Sequence, residues 1–246
     1  MARIAIDPDR ELAELTEYLG DDYDHARLQR YEDAVDEELA EVGDEAELYR
    51  TSQMYLYNLT AFAITRTKEP YLRDLTDLIE PGARVLDYGC GIGSDGLALL
   101  EAGYEVGFAD FDNPSTAYLR WRLQKRGLEA PVYDLDSSPP EPGWDAAYSF
   151  DVIEHVDDPF AFLATLERLA ALVVVNFLEP LPDEPDVHHQ LPIRALLDHA
   201  AARRLRRYRR YHGRSHLVLY ETKHGMKMLG RARVALGRVR GKTSGT

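Results

Sequence analysis

Residues 84–93, Arg-Val-Leu-Asp-Tyr-Gly-Cys-Gly-Ile-Gly, constrain the fold more than any other stretch of the chain. A short apolar run ends in an acid, and three glycines follow at alternate positions before a helical pattern begins at Ser94. Strand, glycine turn and helix in this order form the phosphate- or nucleoside-binding corner of a doubly wound sheet. Glycine permits the sharp turn and lets a ligand lie against bare backbone. Such turns also close corners that bind nothing, so the following segments decide between the two interpretations.

Those segments repeat the pattern of a strand that ends in an acid. The strand 103–110 ends at Asp110, which lies 17 residues after Gly93, close to the roughly twenty-residue spacing of a ribose-binding carboxylate. A carboxylate is a pure acceptor and can take both hydroxyls of a ribose, and Phe111 is placed to lie against an adenine. Further strands are predicted at 131–135, 144–151, 172–178, 204–211 and 216–221. Their alternation with helices predicts an α/β sheet.

The first eighty residues read as a helical cap. Apolar residues at helical spacing predict helices over 8–19, 22–42 and 44–67, and a fourth helix begins at Pro70. Seven of the 15 tyrosines fall within 18–71. They either pack between the helices or, at Tyr49, Tyr55 or Tyr57, line a lid over the substrate or cofactor, because an extension ahead of such a sheet is expected to cover its carboxyl edge. Tyr55 and Tyr57 are the predicted substrate-binding residues.

The segment Val85–Gly93 resembles motif I of class I S-adenosylmethionine-dependent methyltransferases. Asp110 and the pair Asp134-Leu135 follow in the family's order, and residues 150–156 (Phe-Asp-Val-Ile-Glu-His-Val) resemble the segment after strand four in small-molecule methyltransferases of the ubiquinone-biosynthesis type. The resemblance implies an α/β, Rossmann-like seven-stranded methyltransferase sheet with helices on both faces and a reversed final hairpin, behind the N-terminal helical cap. It also implies S-adenosyl-L-methionine as the cofactor, held by Asp87, Gly89, Cys90, Gly91, Gly93, Asp110, Phe111, Asp134, Leu135 and Phe150.

The predicted division of the chain is a cap over 1–80, a methyltransferase domain over 81–221 and a basic tail over 222–246. The glycines read Gly-x-Gly-x-Gly and lack the Gly-x-Gly-x-x-Gly spacing of a pyrophosphate-binding turn, which argues against a dinucleotide dehydrogenase. S-adenosylmethionine carries no phosphate, so its turn only has to pass close to the methionine and ribose groups.

Three histidines are candidate general bases, because histidine titrates near neutrality. His155 follows the fourth strand, and His188 and His189 lie in the loop after the fifth. Each has a plainer interpretation: His155 as a residue that orders its loop, the other two as part of a solvated, proline-rich loop. A metal held by His188 or His189 with Asp183 or Asp186 is a weaker alternative, since adjacent histidines rarely bind one ion together, and no metal is predicted.

The charge distribution and the absence of certain motifs limit the classes of methyl acceptor that the chain can use. The net charge is −14, yet the segment from Arg203 onward carries 14 Lys and Arg residues and one Glu. This basic end is a charge-balancing tail, or it contacts an anionic membrane or RNA. No Asn/Asp-Pro-Pro-Tyr/Phe motif follows strand four, which argues against methylation of nucleobase amino groups. Cys90, the only cysteine, lies in the cofactor turn, so no cysteine is left to act as the nucleophile of a cytosine C5 methyltransferase. The predicted acceptor is therefore a small molecule, sugar or lipid-linked metabolite methylated on oxygen or nitrogen. RNA methylation and cofactor binding without catalysis stay as alternatives.

The apolar runs and the N-terminus of the chain indicate where in the cell the protein is found. No apolar run approaches the length of a bilayer span, and the N-terminus has no signal-peptide core. A cytoplasmic protein is therefore expected. The sequence makes no prediction of the oligomeric state.

Overall fold

The computed structural model describes residues 4–179 and 190–222, and this part of the chain forms ten α-helices and seven β-strands. His188, His189 and residues 223–246 of the predicted tail lie outside the described residues. The helices are α1 (Pro8–Leu19), α2 (His25–Gln29), α3 (Tyr31–Val42), α4 (Glu45–Thr51), α5 (Met54–Thr65), α6 (Glu69–Thr76), α7 (Ser94–Glu101), α8 (Pro114–Arg126), α9 (Pro159–Leu169) and α10 (Ile193–Ala201). The strands are β1 (Arg84–Tyr88), β2 (Glu105–Asp110), β3 (Val132–Asp134), β4 (Trp144–Ser149), β5 (Ala170–Leu178), β6 (Arg204–Tyr211) and β7 (Ser215–Glu221).

The seven strands form one sheet in the order β3-β2-β1-β4-β5-β7-β6. β2 pairs in parallel with β1 and β3, and β5 with β4, whereas β7 runs antiparallel to both β5 and β6. The predicted α/β fold, a seven-stranded sheet with a reversed final hairpin, is confirmed. Contacts divide the chain into two compact units, one up to Pro140 and one from Glu141. The boundaries proposed at residues 80 and 221 stay predictions.

In the first unit, the helices of the cap follow the predicted pattern only in part. α1 has the predicted bounds: the Asp7 carboxylate accepts hydrogen bonds from the N–H groups of Asp9 and Arg10, and Gly20 ends the helix at φ 55°. The prediction of one continuous helix over 22–42 is wrong, because the chain leaves helical geometry at Arg30. The helix predicted over 44–67 is also broken, because Ser52 is extended and its hydroxyl accepts the Tyr55 N–H.

A buried ion cluster joins α1 to α8 in the same unit. The Arg122 side chain is 0% exposed and donates to the carboxylates of Glu11 and Glu14. Arg126 donates to the same two carboxylates, at 3.1 and 2.7 Å. Arg122 also donates to the Ile92 carbonyl and to the Ser94 hydroxyl, each at 2.9 Å. The cluster therefore ties the first cap helix to the segment that begins α7.

The second unit carries the antiparallel hairpin and the helices beside it. Glu167 of α9 accepts from Arg203 at 2.5 Å and from the Tyr220 hydroxyl at 3.1 Å, and its carboxylate lies 2.8 Å from His199 of α10. β6 is an end strand of the sheet and is mostly exposed along its length. Within residues 4–179 and 190–222, no helix is both long and apolar enough to span a bilayer.

Candidate functional site

The glycine turn (residues 89–93) follows β1 and is held to the neighbouring strand. The N–H groups of Gly89 and Cys90 both donate to the Ala109 carbonyl, at 2.8 and 3.2 Å. Gly89, Gly91 and Gly93 have φ of 77°, 51° and 72°, a region that side chains other than glycine rarely adopt. The alternating glycines are therefore required by the backbone of the turn itself.

Packing adds a second requirement for glycine at the start of α7. A Cβ on Gly93 would lie 2.4 Å from Leu119 Cδ1, and one on Gly96 would lie 2.3 Å from Phe108 Cε1. Gly96 went unnoticed in the sequence, although a glycine three residues after the turn is a signal of close contact between helix and sheet. The face of Gly91 is different, because its nearest neighbour is Leu59 of the cap, 2.8 Å from the position of a Cβ.

Asp110 at the end of β2 is bonded to the turn. Its carboxylate accepts from the Gly91 N–H at 2.7 Å and from the Phe111 N–H at 2.8 Å. Burial raises the pKa of Asp110 above the ordinary aspartate value, against the two N–H groups, which act to lower it. Asp110 thus holds the predicted ligand turn against β2, and each of its oxygens keeps a second lone pair for a ligand.

Cys90 lies near Asp87 and Asp110, and both carboxylates act on its thiol. Asp87 is buried at 4% exposure, and Cys90 is partly exposed. Although the residue is partly exposed, the protein atoms packed around its sulfur desolvate it, and this desolvation, followed by the charges of Asp110 and Asp87, raises the pKa of the Cys90 thiol well above its usual value. The thiol is therefore neutral at physiological pH and is a poor nucleophile. Asp87 and Asp110 thus place two carboxylates near the turn, and carboxylates suit a ligand that carries a positive charge.

Asp134 and Leu135 follow β3 and shape the loop beyond it. The Leu135 N–H donates to the Asp110 carbonyl at 3.0 Å. The Asp134 carboxylate accepts from the Ser137 hydroxyl at 2.5 Å and from the Asp136 N–H at 3.2 Å. The bond from Ser137, ahead of that from Asp136, lowers the pKa of Asp134. The end of β3 is thus connected to the end of β2.

Cap residues contact this edge. The Asn113 side-chain amide donates to the Tyr49 carbonyl at 3.0 Å, and the Arg50 guanidinium carbon lies 4.2 Å from the centre of the Phe111 ring. Tyr55 is partly exposed, with its ring edge-on to Tyr49 at 5.0 Å. Tyr57 has a different setting. Its side chain is 1% exposed, and its hydroxyl accepts the Asp24 N–H at 2.9 Å and donates to the Asp22 carbonyl at 3.3 Å.

Phe150 and its neighbours belong to the second unit. Phe150 is buried, with its ring centre 4.9 Å from that of Tyr148. Asp151 has φ 54°, a left-handed conformation that aspartate tolerates better than most residues. Asn176 of β5, fully buried, accepts the Asp151 N–H at 2.9 Å and donates to its carboxylate at 2.7 Å. Sequence reasoning missed Asn176, although it is the polar residue in an otherwise apolar strand.

The histidines proposed as bases fall in different places. His155 ends a short 3₁₀ turn, Ile153–His155, and is partly exposed. His188 and His189 lie outside the described residues, as do Asp183 and Asp186. Among residues 4–179 and 190–222, no group of three His, Cys, Asp or Glu side chains is arranged to hold a metal ion.

Comparisons with known proteins agree on one family. A family model described as a methyltransferase domain matches residues 60–224, more than half of the chain. The ubiquinone biosynthesis O-methyltransferase of Ruegeria sp. (strain TM1040) is 33% identical over 101 residues, which are 39% of this chain and 41% of that relative. The chain therefore matches less than two thirds of the length of this curated relative.

Solved structures agree with the fold. TehB from Haemophilus influenzae is 19% identical with a TM-score of 0.52, over 62% of this chain and 61% of TehB. The magnesium protoporphyrin IX methyltransferase ChlM from Synechocystis PCC 6803, solved with SAM bound, is 18% identical with a TM-score of 0.53, over 70% of this chain and 85% of ChlM. These two structures and the strand order agree on the fold, and the match to the family model shows that the chain belongs to the methyltransferase-domain family.

Proposed function

We propose that the chain transfers the methyl group of S-adenosylmethionine to an oxygen, or a nitrogen, of a small-molecule, sugar or lipid-linked acceptor. The observation that supports a small acceptor is the contact of the cap with the ligand edge of the first unit, where the carboxyl ends of β1, β2 and β3 lie. Leu59 lies over Gly91, Arg50 over Phe111, and Tyr49 accepts from Asn113. A covered edge favours a small acceptor over a macromolecule. The relative from Ruegeria, named as an O-methyltransferase, supports oxygen as the acceptor atom.

The residues at this edge suit the cofactor. Asp87, Asp110 and Asp134 lie at or next to the carboxyl ends of the adjacent strands β1, β2 and β3. Carboxylates accept from the ammonium group and the ribose hydroxyls, and a negative site attracts a sulfonium cation. The space that a side chain would take at Gly91 is occupied by the end of Leu59, a flexible side chain of the cap. At Gly93 and Gly96 the same space is occupied by buried core side chains. The residues proposed to hold the cofactor are Asp87, Gly89, Cys90, Gly91, Gly93, Asp110, Phe111, Asp134, Leu135 and Phe150.

The bound cofactor supplies an electrophilic methyl group for an in-line displacement. The chain's own task is to bind the acceptor in line, to exclude water and to take the proton that the acceptor loses. We propose His155 for the proton and Tyr55 for contact with the acceptor. His188 and His189 stay proposals from the sequence. Tyr57 is the weaker of the two tyrosine proposals, because its hydroxyl is already bonded to the backbone of residues 22 and 24.

Two substitutions test the proposal. Asp110→Ala removes the ribose acceptor and the anchor of Gly91, so we expect calorimetry to show S-adenosylhomocysteine binding at least tenfold weaker, the loss of about one charged hydrogen bond. His155→Ala should leave this affinity unchanged and lower the rate of methyl transfer about 10²-fold or more, as for the loss of a general base. Activity is followed as S-adenosylhomocysteine formed with a panel of phenols, sugars and amines. Unchanged affinity in Asp110→Ala would contradict the ribose assignment, and an unchanged rate in His155→Ala would leave that residue structural.

RNA methylation is a second candidate, because β6 presents a row of exposed arginines. Arg204, Arg206, Arg209 and Arg210 are exposed. Three of them pair with Glu221 or Glu179, which weakens their attraction for phosphate.

The third alternative is a protein that binds the cofactor without catalysis. It would be indicated if the wild-type chain bound S-adenosylhomocysteine but yielded no methylated product.

A further inference from the structure

Arg50 of α4 lies where the nucleoside end of a cofactor is expected. We propose that Arg50 binds the adenine ring of S-adenosylmethionine by stacking on it, in exchange for its present contact with Phe111. The inference rests on the proposed function, since it takes Phe111 to mark the adenine end of the site. Neither the motifs of the sequence nor the family resemblance assigns Arg50 a role.

The position of Arg50 is well defined. Its guanidinium carbon is 4.2 Å from the centre of the Phe111 ring, and its two terminal nitrogens donate to the two carboxylate oxygens of Asp136, at 2.6 and 3.5 Å. Asp136 in turn donates its N–H to the Asp134 carboxylate at 3.2 Å. Phe111 follows β2, and Asp136 follows β3. The guanidinium plane is therefore held by two neighbouring loops at the same edge of the first unit.

The helix that carries Arg50 is fixed at both of its ends. Asp44 begins α4 by accepting the Glu47 N–H at 3.1 Å. At the other end, the Tyr49 carbonyl accepts from Asn113 at 3.0 Å, and Asn113 is the residue that caps α8 directly after the Phe111 loop. Arg50 thus reaches the edge from an anchored backbone.

The contact with Phe111 is one that a nucleobase can replace. At 4.2 Å, the guanidinium and the ring are in direct contact, and no third ring fits between them, so Arg50 moves from Phe111 when an adenine takes this place. The ion pair that restrains it is half-exposed, at 43% for Arg50 and 54% for Asp136, and such pairs are readily exchanged. A guanidinium stacks on a purine as it does on phenylalanine, because both present a π face to the cation.

The test is calorimetry of two ligands that share the adenosine, S-adenosylhomocysteine and 5′-methylthioadenosine. In Arg50→Ala, we expect the Kd of both ligands to rise by the same factor, about threefold, which measures by how much the stack on adenine exceeds the contact with Phe111 that the variant also loses. Arg50→Lys should recover only part of the affinity, because lysine keeps the charge and lacks the plane. The melting temperature should stay at the wild-type value in both variants, since Arg50 is exposed.

Arg30→Ala is the matched control. Arg30 is an exposed cap arginine that pairs with Asp33 and Glu37, so its loss should leave both Kd values unchanged. Wild-type or tighter binding in Arg50→Ala would overturn the proposal, as would a fall in melting temperature without a change in affinity. If the wild-type chain itself bound neither ligand, the proposed function would fail together with this inference. A normal wild-type affinity that is insensitive to Arg50 would overturn the inference alone.

Discussion

Asp110 has two roles that draw on the same carboxylate. It accepts the N–H groups of Gly91 and Phe111, which gives the turn its shape, and it is the proposed acceptor for the ribose. Because one side chain carries both roles, the shape of the turn and the affinity for the cofactor depend on the same ionised group.

Cofactor affinity should therefore fall at acid pH. Burial raises the pKa of Asp110, so the group gains its proton at a higher pH than the ordinary aspartate value of about 3.9. The proton removes acceptor capacity, so we expect the Kd for S-adenosylhomocysteine to increase as the pH falls from 7 toward that ordinary value. Calorimetry across this range measures the effect. Asp110→Asn should bind more weakly, with no dependence on pH in the same window. An identical pH dependence in the variant would assign the titration to another group.

At the scale of elements, the cap is attached through charge as well as through apolar packing. Leu15 of α1, Leu56 of α5 and Tyr118 of α8 share one buried apolar cluster, and the buried ion cluster lies on the same pair of helices, α1 and α8. Burial acts to raise the pKa of Glu14, but the bonds and charges of Arg126 and Arg122 outweigh it, and the pKa lies below the usual value. A lowered pKa means that Glu14 stabilises the fold above the ordinary glutamate pKa and loses this contribution as the pH falls.

Removing one side of the cluster should be costly. Arg122→Met takes the closest cation from buried Glu11 and one of two bonded arginines from buried Glu14, and we expect the free energy of unfolding to fall by about 3–5 kcal/mol. Urea denaturation at neutral pH gives the value. Arg120→Ala on the same helix is the control, because its pair with Asp112 is exposed and should change stability by no more than about 1 kcal/mol. Equal effects of the two substitutions would mean that the buried pairs are not held as described.

The sequence predicted the sheet well because its signals are local. Apolar runs that end in Asp87, Asp110 and Asp134 mark strand ends, and an arginine-rich run can still form a strand, as β6 shows. The breaks in the cap helices had no such signal, since the periodic apolar residues continue through Arg30 and Ser52. Arg50, Gly96 and Asn176 were missed for another reason. The sequence marks Gly96 and Asn176 as unusual residues at their positions, but the partners of all three residues lie 25 to 86 residues away or on another element of the fold, and a single sequence does not identify such partners.

For the whole molecule, the distribution of charge provides a test that distinguishes an RNA acceptor from a small-molecule acceptor. The chain carries −14 overall, yet β6 presents exposed arginines. If those arginines bound phosphates, counterion release would make the affinity for RNA fall steeply with salt.

We expect no methyl transfer to bulk RNA, and expect any RNA association to be largely lost between about 50 and 200 mM salt. Binding is measured by fluorescence anisotropy and transfer with labelled cofactor. Arg209→Glu should weaken that association and leave methylation of a small acceptor unchanged. Label in RNA at the higher salt concentration would favour the RNA alternative instead.

The contacts of Arg122 have a consequence for anyone who wishes to recombine this protein with its relatives. This arginine reaches both the glutamates of the first cap helix and the Ile92 carbonyl in the glycine turn. A cap grafted onto another methyltransferase, or a foreign cap placed on this one, would therefore bury acids or arginines without their counterions. The unit of exchange between such proteins is the helix pair α1 and α8, with both arginines and both glutamates, and swapping the N-terminal segment alone should give insoluble chimaeras.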